Sequence, residues 1–443
     1  MRQEETIAAI STAVGGGIGI VRLSGRTALE VGDKIFRSMN GRRLIDVDDR
    51  KMIFGNITDG SARTIDEAMT VVMRSPHSYT CEDVVEFHCH GGATVMRRVL
   101  SRALESGARL AERGEFTKRA FLNGRLDLSQ AQAVLDIIQS KTDAALDIAE
   151  RRLKGTDEIK NLRRKIVDAD AHIEAVIDFP EDDLEGVELD RIDRTIEEVI
   201  AAIEKMLATE NSGRIMREGL RTAIIGKPNV GKSSLLNYLL RADRAIVTDV
   251  PGTTRDSIEE FADIDGVPLR IIDTAGIRAS SDEVERIGIE RAREHARQAE
   301  LILALIDGSR ELTSEDEEIF SMIDGRDAIV LITKSDLPRV VSIEGLPISI
   351  KNGDGIEELK KKITARVGVP KELNLVRDAR EAEALRRAKK HLTEARDTIR
   401  MSVGIDFVSI DLRSALSALG EITGENVSDA VIEEIFSKFC VGK

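Results

Sequence analysis

The run Leu220-Arg-Thr-Ala-Ile-Ile-Gly226-Lys-Pro-Asn229-Val230-Gly231-Lys232-Ser233-Ser234 decides the fold. An apolar strand feeds a Gly-x-x-x-x-Gly-Lys-Ser loop, and Ser234 to Leu240 then read as a helix. The glycines let backbone N–H groups wrap a β-phosphate, Lys232 reaches the β/γ oxygens, and the Ser233 hydroxyl is placed to ligate Mg²⁺. The helix N-terminus adds its dipole to the same anion site. A glycine-rich turn between strand and helix is the structural alternative, which the motif alone does not exclude.

Two downstream elements sit at the ends of predicted strands, where a parallel α/β sheet gathers its ligands. In Leu269-Arg-Ile-Ile-Asp273-Thr274-Ala275-Gly276 the strand-end Asp273 suits the Mg²⁺ shell and the Gly276 N–H faces a γ-phosphate. In Ala328-Ile-Val-Leu-Ile-Thr333-Lys334-Ser335-Asp336 the final carboxylate accepts from the N1–H and 2-amino group of guanine, a donor pair adenine does not offer. In this order the elements resemble the GTPase family. Thr333 stands where that family has Asn, which keeps a hydroxyl and loses an amide. Ser349-Ile350-Lys351 resembles the Ser-Ala-Lys base-contact loop and departs at its middle position.

At 443 residues the chain is long for one domain, and two or three are expected. Charged residues make up 33% and aromatics only 3%, a balance that favours helices with solvated faces over β-sandwiches. A net charge of −14 argues against a surface coated for non-specific nucleic-acid binding, since each phosphate contact needs a Lys or Arg. Cys81, Cys89 and Cys440 form no even disulfide framework, so a reducing cytoplasm is expected. No run of about 18 apolar residues is present to span a membrane, and the N-terminus lacks a signal-peptide core.

Residues 1–120 mix short strands and helices. Gly15-Gly16-Gly17-Ile18-Gly19 precedes a strand, whereas a dinucleotide fingerprint follows one, so it reads as a loop. In Asp83 to Gly92, strand alternation puts Glu86, His88 and His90 on one face and Cys89 on the other. This makes a pocket wall, or with Cys81 a set of metal ligands. From residue 122 the period changes. Ile159, Leu162, Ile166, Ala169, Ile173 and Val176 recur at steps of three and four, as do Ile192, Ile196, Val199, Ile203 and Met206, and then Leu385, Ala388, Leu392, Ala395 and Ile399. Long antiparallel helices are thus expected, interrupted by an inserted nucleotide domain. The expected segments are 1–120, 121–215, 216–370 and 371–443. The fold class is α/β and α: an N-terminal α+β domain, then a long-helix domain split by a Ras-like P-loop domain. Basic clusters at Arg151-Arg152-Lys154, Arg163-Arg164-Lys165 and Arg386-Arg387-Lys389-Lys390 read as an exposed face balanced by acids, or as an RNA contact.

Ile20-Val-Arg22-Leu-Ser24-Gly25, His90-Gly91-Gly92, Gly114-Glu-Phe116-Thr-Lys-Arg-Ala-Phe-Leu-Asn123-Gly124-Arg125-Leu-Asp127, Asp282-Glu-Val-Glu285-Arg-Ile-Gly-Ile-Glu290-Arg and Phe439-Cys-Val-Gly-Lys443 span nearly the whole chain. Together they resemble the MnmE (TrmE) family of tRNA uridine-modification GTPases. The resemblance implies an N-terminal folate-binding domain through which the chain forms a homodimer. It implies a cytoplasmic enzyme that works with the flavoprotein MnmG, in a heterotetramer, to install an aminomethyl-type (carboxymethylaminomethyl) group at C5 of the wobble uridine of certain tRNAs. Arg22, Glu86, Arg125 and Lys443 would hold a tetrahydrofolate derivative, with Lys more usual than Arg at position 125. Cys440 would lie near the one-carbon unit, as a nucleophile or as tail packing.

The resemblance also bears on hydrolysis. Ile277 follows Gly276 where a Ras-like enzyme has the water-orienting Gln. The family assigns water to Glu285, K⁺ to Asn229, Thr248, Val250 and Thr253, and the second Mg²⁺ contact beside Ser233 to Thr254. GTP would contact Asn229 to Ser234, Thr248, Thr253, Thr254, Asp273 to Gly276, Thr333, Lys334, Asp336, Ser349 and Lys351. The rival reading is a GTPase switch for ribosome or metallocofactor assembly, in which no base is modified.

Overall fold

The computed structural model describes residues 5–155, 158–178, 185–242, 260–272, 293–368, 376–401 and 404–443. They form two compact units, residues 1–135 with 420–443 and residues 136–419.

The first unit is built on seven strands: β1 (Ile7–Ile10), β2 (Ile18–Ser24), β3 (Phe36–Ser38), β4 (Met52–Thr58), β5 (Thr64–Met73), β6 (Val84–His90) and β7 (Arg109–Leu110). Their order is β3-β4-β5-β6-β2-β1-β7, antiparallel except for β1 with β7. Helices α1 (Ala28–Ile35) and α2 (Ala93–Glu105) cover one face, burying Val31, Ile35, Met96 and Val99 against Val21, Leu23, Val85 and Phe87. The opposite face carries Arg22, Glu86 and His88, and at its β4–β5 end the exposed Met52, Phe54 and Met69. Gly15 to Gly17 form the loop entering β2, with the Gly15 N–H donating to the Gly91 carbonyl and the Gly91 N–H to that of Gly17. A side chain at Gly91 would stand 2.2 Å from the Gly16 carbonyl oxygen, so His90-Gly91-Gly92 is shaped by this close approach. Helices α3 (Glu115–Leu122) and α4 (Leu128–Gln139) follow.

The second unit begins within α4 and contains α5 (Asp143–Leu153), α6 (Glu158–Asp178), α7 (Glu185–Leu207) and α8 (Glu210–Glu218). Next come β8 (Leu220–Gly226), α9 (Lys232–Ala242), β9 (Glu260–Ile264), β10 (Val267–Ile271), β11 (Leu301–Asp307), α10 (Ser314–Ile323), β12 (Ala328–Thr333), β13 (Leu346–Pro347) and α11 (Ile356–Val367). The sheet order is β13-β12-β11-β8-β10-β9, parallel except for the β9–β10 hairpin. One face packs on α9 and α11, the other on α10 and helical residues 293–298. Coverage on both faces is why β11, Leu-Ile-Leu-Ala-Leu-Ile-Asp, is buried throughout instead of alternating. Each fully buried Leu or Ile contributes ~1.5–3 kcal/mol, and in β11 the polar residue, Asp307, stands at the strand end.

Helices α12 (Ala379–Met401) and α13 (Ile405–Thr423) complete this unit. The three-four seams of α6, α7 and α12 are buried from Ile159 to Ile173, from Ile192 to Met206 and from Leu385 to Ala395, whereas Ile399 is half-buried. Entry to and exit from the β8–α11 region are stapled together. The Thr209 hydroxyl accepts from the Val376 N–H at 3.0 Å, and the Ser212 hydroxyl donates to the Val367 carbonyl at 2.7 Å. Beside them the buried Arg377 makes a two-pronged pair with Asp136, at 2.8 and 2.9 Å, while Arg152 reaches Glu381. Burial opposes the Arg377 charge, but Asp136 and Asp378 hold its pKa above the ordinary value.

Helix α14 (Asp429–Ser437) and the tail return to the first unit, whereas the sequence places all of 371–443 with the helices. The reason is an apolar cluster of Ile432, Ile435, Phe436 and Phe439 against Phe121, Leu128, Ala131 and Leu135, which outweighs chain continuity. Among the described residues no helix is long and apolar enough to cross a membrane.

Candidate functional site: a nucleotide loop and a cationic tail pocket

At the carboxyl end of β8, Gly226 and Gly231 adopt φ of +158° and +110°, and Asn229 adopts +60°. At Gly226 a Cβ would approach the Leu305 carbonyl oxygen to 2.8 Å, so the turn off the strand demands glycine. Lys232 folds over this loop and donates to the Gly226 and Lys227 carbonyls, both at 2.7 Å. Burial lowers its pKa from the ordinary value. The cation is thereby held over the loop, and phosphate oxygens fit it as the missing counter-charge. Lys227, which sequence reasoning passed over, leaves the loop to pair with the buried Asp316, itself half of a capping box with Thr313 at the start of α10. A lysine in the variable part of the motif gave no signal of this; only the position of α10 supplies the partner.

The base-side residues gather at the ends of β11 and β12. Asp336 is exposed, and its carboxylate accepts from the buried Ser349 hydroxyl at 3.0 Å. Ser349 therefore fixes the orientation of the Asp336 carboxylate. Lys334, at φ +60°, pairs with Asp307 at 2.6 Å. Burial would raise the Asp307 pKa, but bonds from Lys334 and Ser309 hold it below the usual carboxylate value. Thr333 was expected among the nucleotide contacts. It is buried at the end of β12, and its hydroxyl donates to the Ile306 carbonyl at 3.2 Å. Lys351 is exposed, and Ile350 lies close enough that a Cβ at Gly231 would be 3.4 Å from it, which brings the base loop to the phosphate loop. Val230 is buried beneath the turn. Ser234 opens the exposed face of α9 behind Ser233. Thr248, Val250, Thr253, Thr254, Asp273, Thr274, Ala275, Gly276 and Glu285 lie outside the described residues.

In the first unit, β2 and β6 set Arg22 opposite Glu86, and the guanidinium pairs with the carboxylate at 2.7 Å. The Arg22 guanidinium lies 5.7 Å from the Tyr79 ring centroid and 5.5 Å from that of Phe116. Arg125 lies 4.8 Å from the Tyr79 ring and donates to the Tyr79 carbonyl. Phe116 stood inside a quoted motif; Tyr79, one of two tyrosines, carried no sequence signal of its role.

The tail packs beside these residues. Val441 pairs with Arg113, the Gly114 N–H donates to the Cys440 carbonyl and the Phe116 N–H to that of Lys443. Gly442, at φ +96°, passes so near β1 that a Cβ would meet the Ile10 carbonyl oxygen at 2.2 Å. Burial and then the Arg22 charge lower the Lys443 pKa, with Glu86 opposing. The Gly-Glu-Phe-Thr-Lys-Arg motif also braces the pocket internally, since Arg119 bonds Glu82 at 3.0 Å and Glu115 at 2.9 Å, and Glu82 receives the Ser24 hydroxyl. Cys440 itself is exposed.

The metal reading of Cys81, His88 and His90 fails. His88 turns to Glu86 at 3.3 Å and His90 to Asp66 at 2.7 Å, each with its own carboxylate, and no ligand group forms there among the described residues. Cys89 faces the core as alternation required, and burial pushes its thiol pKa up to about 12. The basic clusters are largely balanced by acids: Arg152 with Glu381, Lys154 with Glu150, Lys165 with Glu198, Arg386 with Glu210 and Lys389 with Glu204. That favours a solvated, self-paired face over a phosphate-binding one.

A family model for the TrmE N-terminus matches residues 6–125, and one for the MnmE helical domain matches residues 128–440. Full-length relatives agree. A tRNA modification GTPase MnmE of Geobacillus kaustophilus is 48% identical over 100% of both chains, and that of Clostridioides difficile 45% identical over 99% of both. The chain belongs to the MnmE family of tRNA modification GTPases. Among solved structures, the FeoB G-domain from Methanococcus jannaschii is 22% identical over 33% of this chain and 96% of that one, with a TM-score of 0.24. The membership rests on the full-length relatives. The MnmE relatives span this chain from end to end, so the phosphate loop, the helices and the tail pocket all fall within the shared length.

Proposed function

We propose that GTP and Mg²⁺ occupy the β8–α9 loop, and that hydrolysis there drives installation of a carboxymethylaminomethyl-type group at C5 of the wobble uridine of certain tRNAs. The one-carbon unit comes from a tetrahydrofolate derivative and the redox chemistry from the flavoprotein partner MnmG. The observation that carries this reading is the pocket of Arg22, Glu86, Tyr79, Phe116 and Lys443. The half-buried Tyr79 ring, with the Arg125 guanidinium 4.8 Å from it, suits a flat pterin. The pocket's two cations, one of them lowered in pKa by burial and by the other, suit the carboxylates of the glutamate end. When bound, the folate supplies the one-carbon unit; the chain's own residues orient it and exclude water. Cys440, at the mouth of the same tail, is the candidate nucleophile.

Homodimerisation through the first unit is supported by the exposed Met52, Phe54 and Met69, with Phe54 directly opposite Met69 on neighbouring strands. Three large apolar side chains side by side on a sheet face suit burial against a second copy. A K⁺ ion held by Asn229 with Thr248, Val250 and Thr253 would supply the charge at the phosphates, with Thr254 as the second Mg²⁺ ligand and Glu285 on water. The segments 1–120, 121–215 and 216–370 serve in this scheme as folate, helical and GTPase parts, and 371–443 as a second helical part whose last residues, 420–443, pack in the first unit.

Mass spectrometry of tRNA from cells lacking the chain is expected to show wobble uridines without the C5 group. Unchanged uridines would leave only the assembly-switch reading. Arg22→Ala and Glu86→Ala are each expected to weaken 5-formyl-tetrahydrofolate binding by about tenfold or more, since a charge-assisted hydrogen bond contributes ~1.5–3 kcal/mol. GTP affinity should stay unchanged in both. Calorimetry that finds normal folate affinity in both variants removes the pocket from the mechanism.

A further inference from the structure

Helices α12 and α13 bring together three ligand-type side chains that neither the nucleotide site nor the tail pocket uses. His391 and Glu394 stand three residues apart on α12, which puts them on one face, and Asp411 joins them from α13. One ligand atom from each lies within 4.8 Å of the other two. His391 Nδ1 is 3.2 Å from a Glu394 carboxylate oxygen. Asp411 is half-buried, and burial together with the Glu394 charge raises its pKa, with His391 opposing. Two carboxylates are thus held against each other with an imidazole alongside.

We propose that His391, Glu394 and Asp411 form a site for a divalent transition-metal ion, of which Zn²⁺ is the first probe, that fastens α12 to α13. Three atoms no more than 4.8 Å apart lie within about 2.8 Å of a common centre. Ligand distances of ~2.0–2.2 Å then need side-chain shifts of under about 1 Å, well within rotamer freedom. One imidazole nitrogen with carboxylate oxygens is a donor set for a borderline dication such as Zn²⁺, and the two negative charges match it. Mg²⁺ and Ca²⁺ prefer all-oxygen shells and fit less well. Lys390, 3.8 Å from Glu394 and exposed, is a weak surface competitor that a dication displaces. Three protein ligands leave a coordination position for water or a small anion.

The site is placed to matter for the whole chain. Helix α12 follows the exit from the β8–α11 region at Val376, and α13 leads directly into the residues that end in the tail. An ion there would hold α12 and α13 to each other.

The test uses the full-length chain stripped with a chelator, with Mg²⁺ and GDP present so that the nucleotide site is filled. Equilibrium dialysis should find one more equivalent of Zn²⁺ on the wild-type chain than on His391→Ala or Asp411→Ala. Zn²⁺ should raise the melting temperature of the wild type by several degrees and leave both variants unmoved. With Co²⁺ as a spectroscopic substitute, the visible bands of the wild type should vanish in His391→Ala. Unstimulated GTP turnover should be equal in all three proteins, which establishes that the variants are folded. Equal Zn²⁺ stoichiometry, or an equal thermal shift, in wild type and folded variants overturns the proposal.

Discussion

Asp336→Asn is expected to lower GTP affinity by about two to four orders of magnitude and to give xanthosine triphosphate the tighter binding. In the proposed site the carboxylate would accept two hydrogen bonds from the guanine edge, and bonds to a charged group contribute ~1.5–3 kcal/mol each. An Asn in its place turns an amide donor toward the base, which clashes with the guanine 2-amino group and complements the xanthine carbonyl. The loop should keep its shape, because the Ser349 hydroxyl that now donates to Asp336 at 3.0 Å donates equally well to an Asn carbonyl. Thr333 does not compensate, since its hydroxyl is spent on the Ile306 carbonyl. Titration with fluorescent diphosphates of guanosine and xanthosine is the check. An unchanged preference for guanine takes Asp336 out of the base site.

The second large effect is on turnover. Hydrolysis is expected to be fast in K⁺ and slow in Na⁺, with the ratio approaching the ~10³ that an added positive charge at the phosphates contributes in GTPases. Ile277 stands where a water-orienting Gln would be, and Asn229 occupies a positive-φ position in the glycine-rich loop between β8 and α9. The proposed oxygen cage, completed by Thr248, Val250 and Thr253, suits the larger ion; Na⁺ would require it to contract. Glu285→Ala should cut turnover while K⁺ still promotes pairing of the GTPase regions, because Glu285 is assigned to water and not to the cation. Equal rates in KCl and NaCl at matched ionic strength sink the cation cage. A fully active Glu285→Ala sinks the role given to that residue.

The glycine-rich loop between β8 and α9 was legible in the sequence because its geometry is local. A strand, a glycine-rich turn and a helix start are fixed by residues that neighbour one another, so Gly226, Gly231 and Lys232 announce themselves. The long-helix seams were equally plain, since a three-four repeat needs no partner to be seen.

Pairings across the fold were not written in any local pattern. Lys227 with Asp316, Lys334 with Asp307, Ser349 with Asp336 and Arg377 with Asp136 join residues whose separation in the chain carries no periodic signal, and only packing chooses among many equivalent acids. The same holds for Thr333, whose hydroxyl donates to the Ile306 carbonyl on the adjacent strand. Sequence order assigned residues 420–443 to the helices that precede them. The tertiary structure moved them to the N-terminal unit, because burying Phe436 and Phe439 beside Phe121 and Leu128 outweighs continuity of the chain, and that burial is what brings Lys443 beside Arg22. The sequence by itself therefore determined the nucleotide chemistry and the element types, which depend on neighbours. The tertiary structure alone decided which distant charges meet and where the tail lies, because those depend on apolar surfaces finding one another in space.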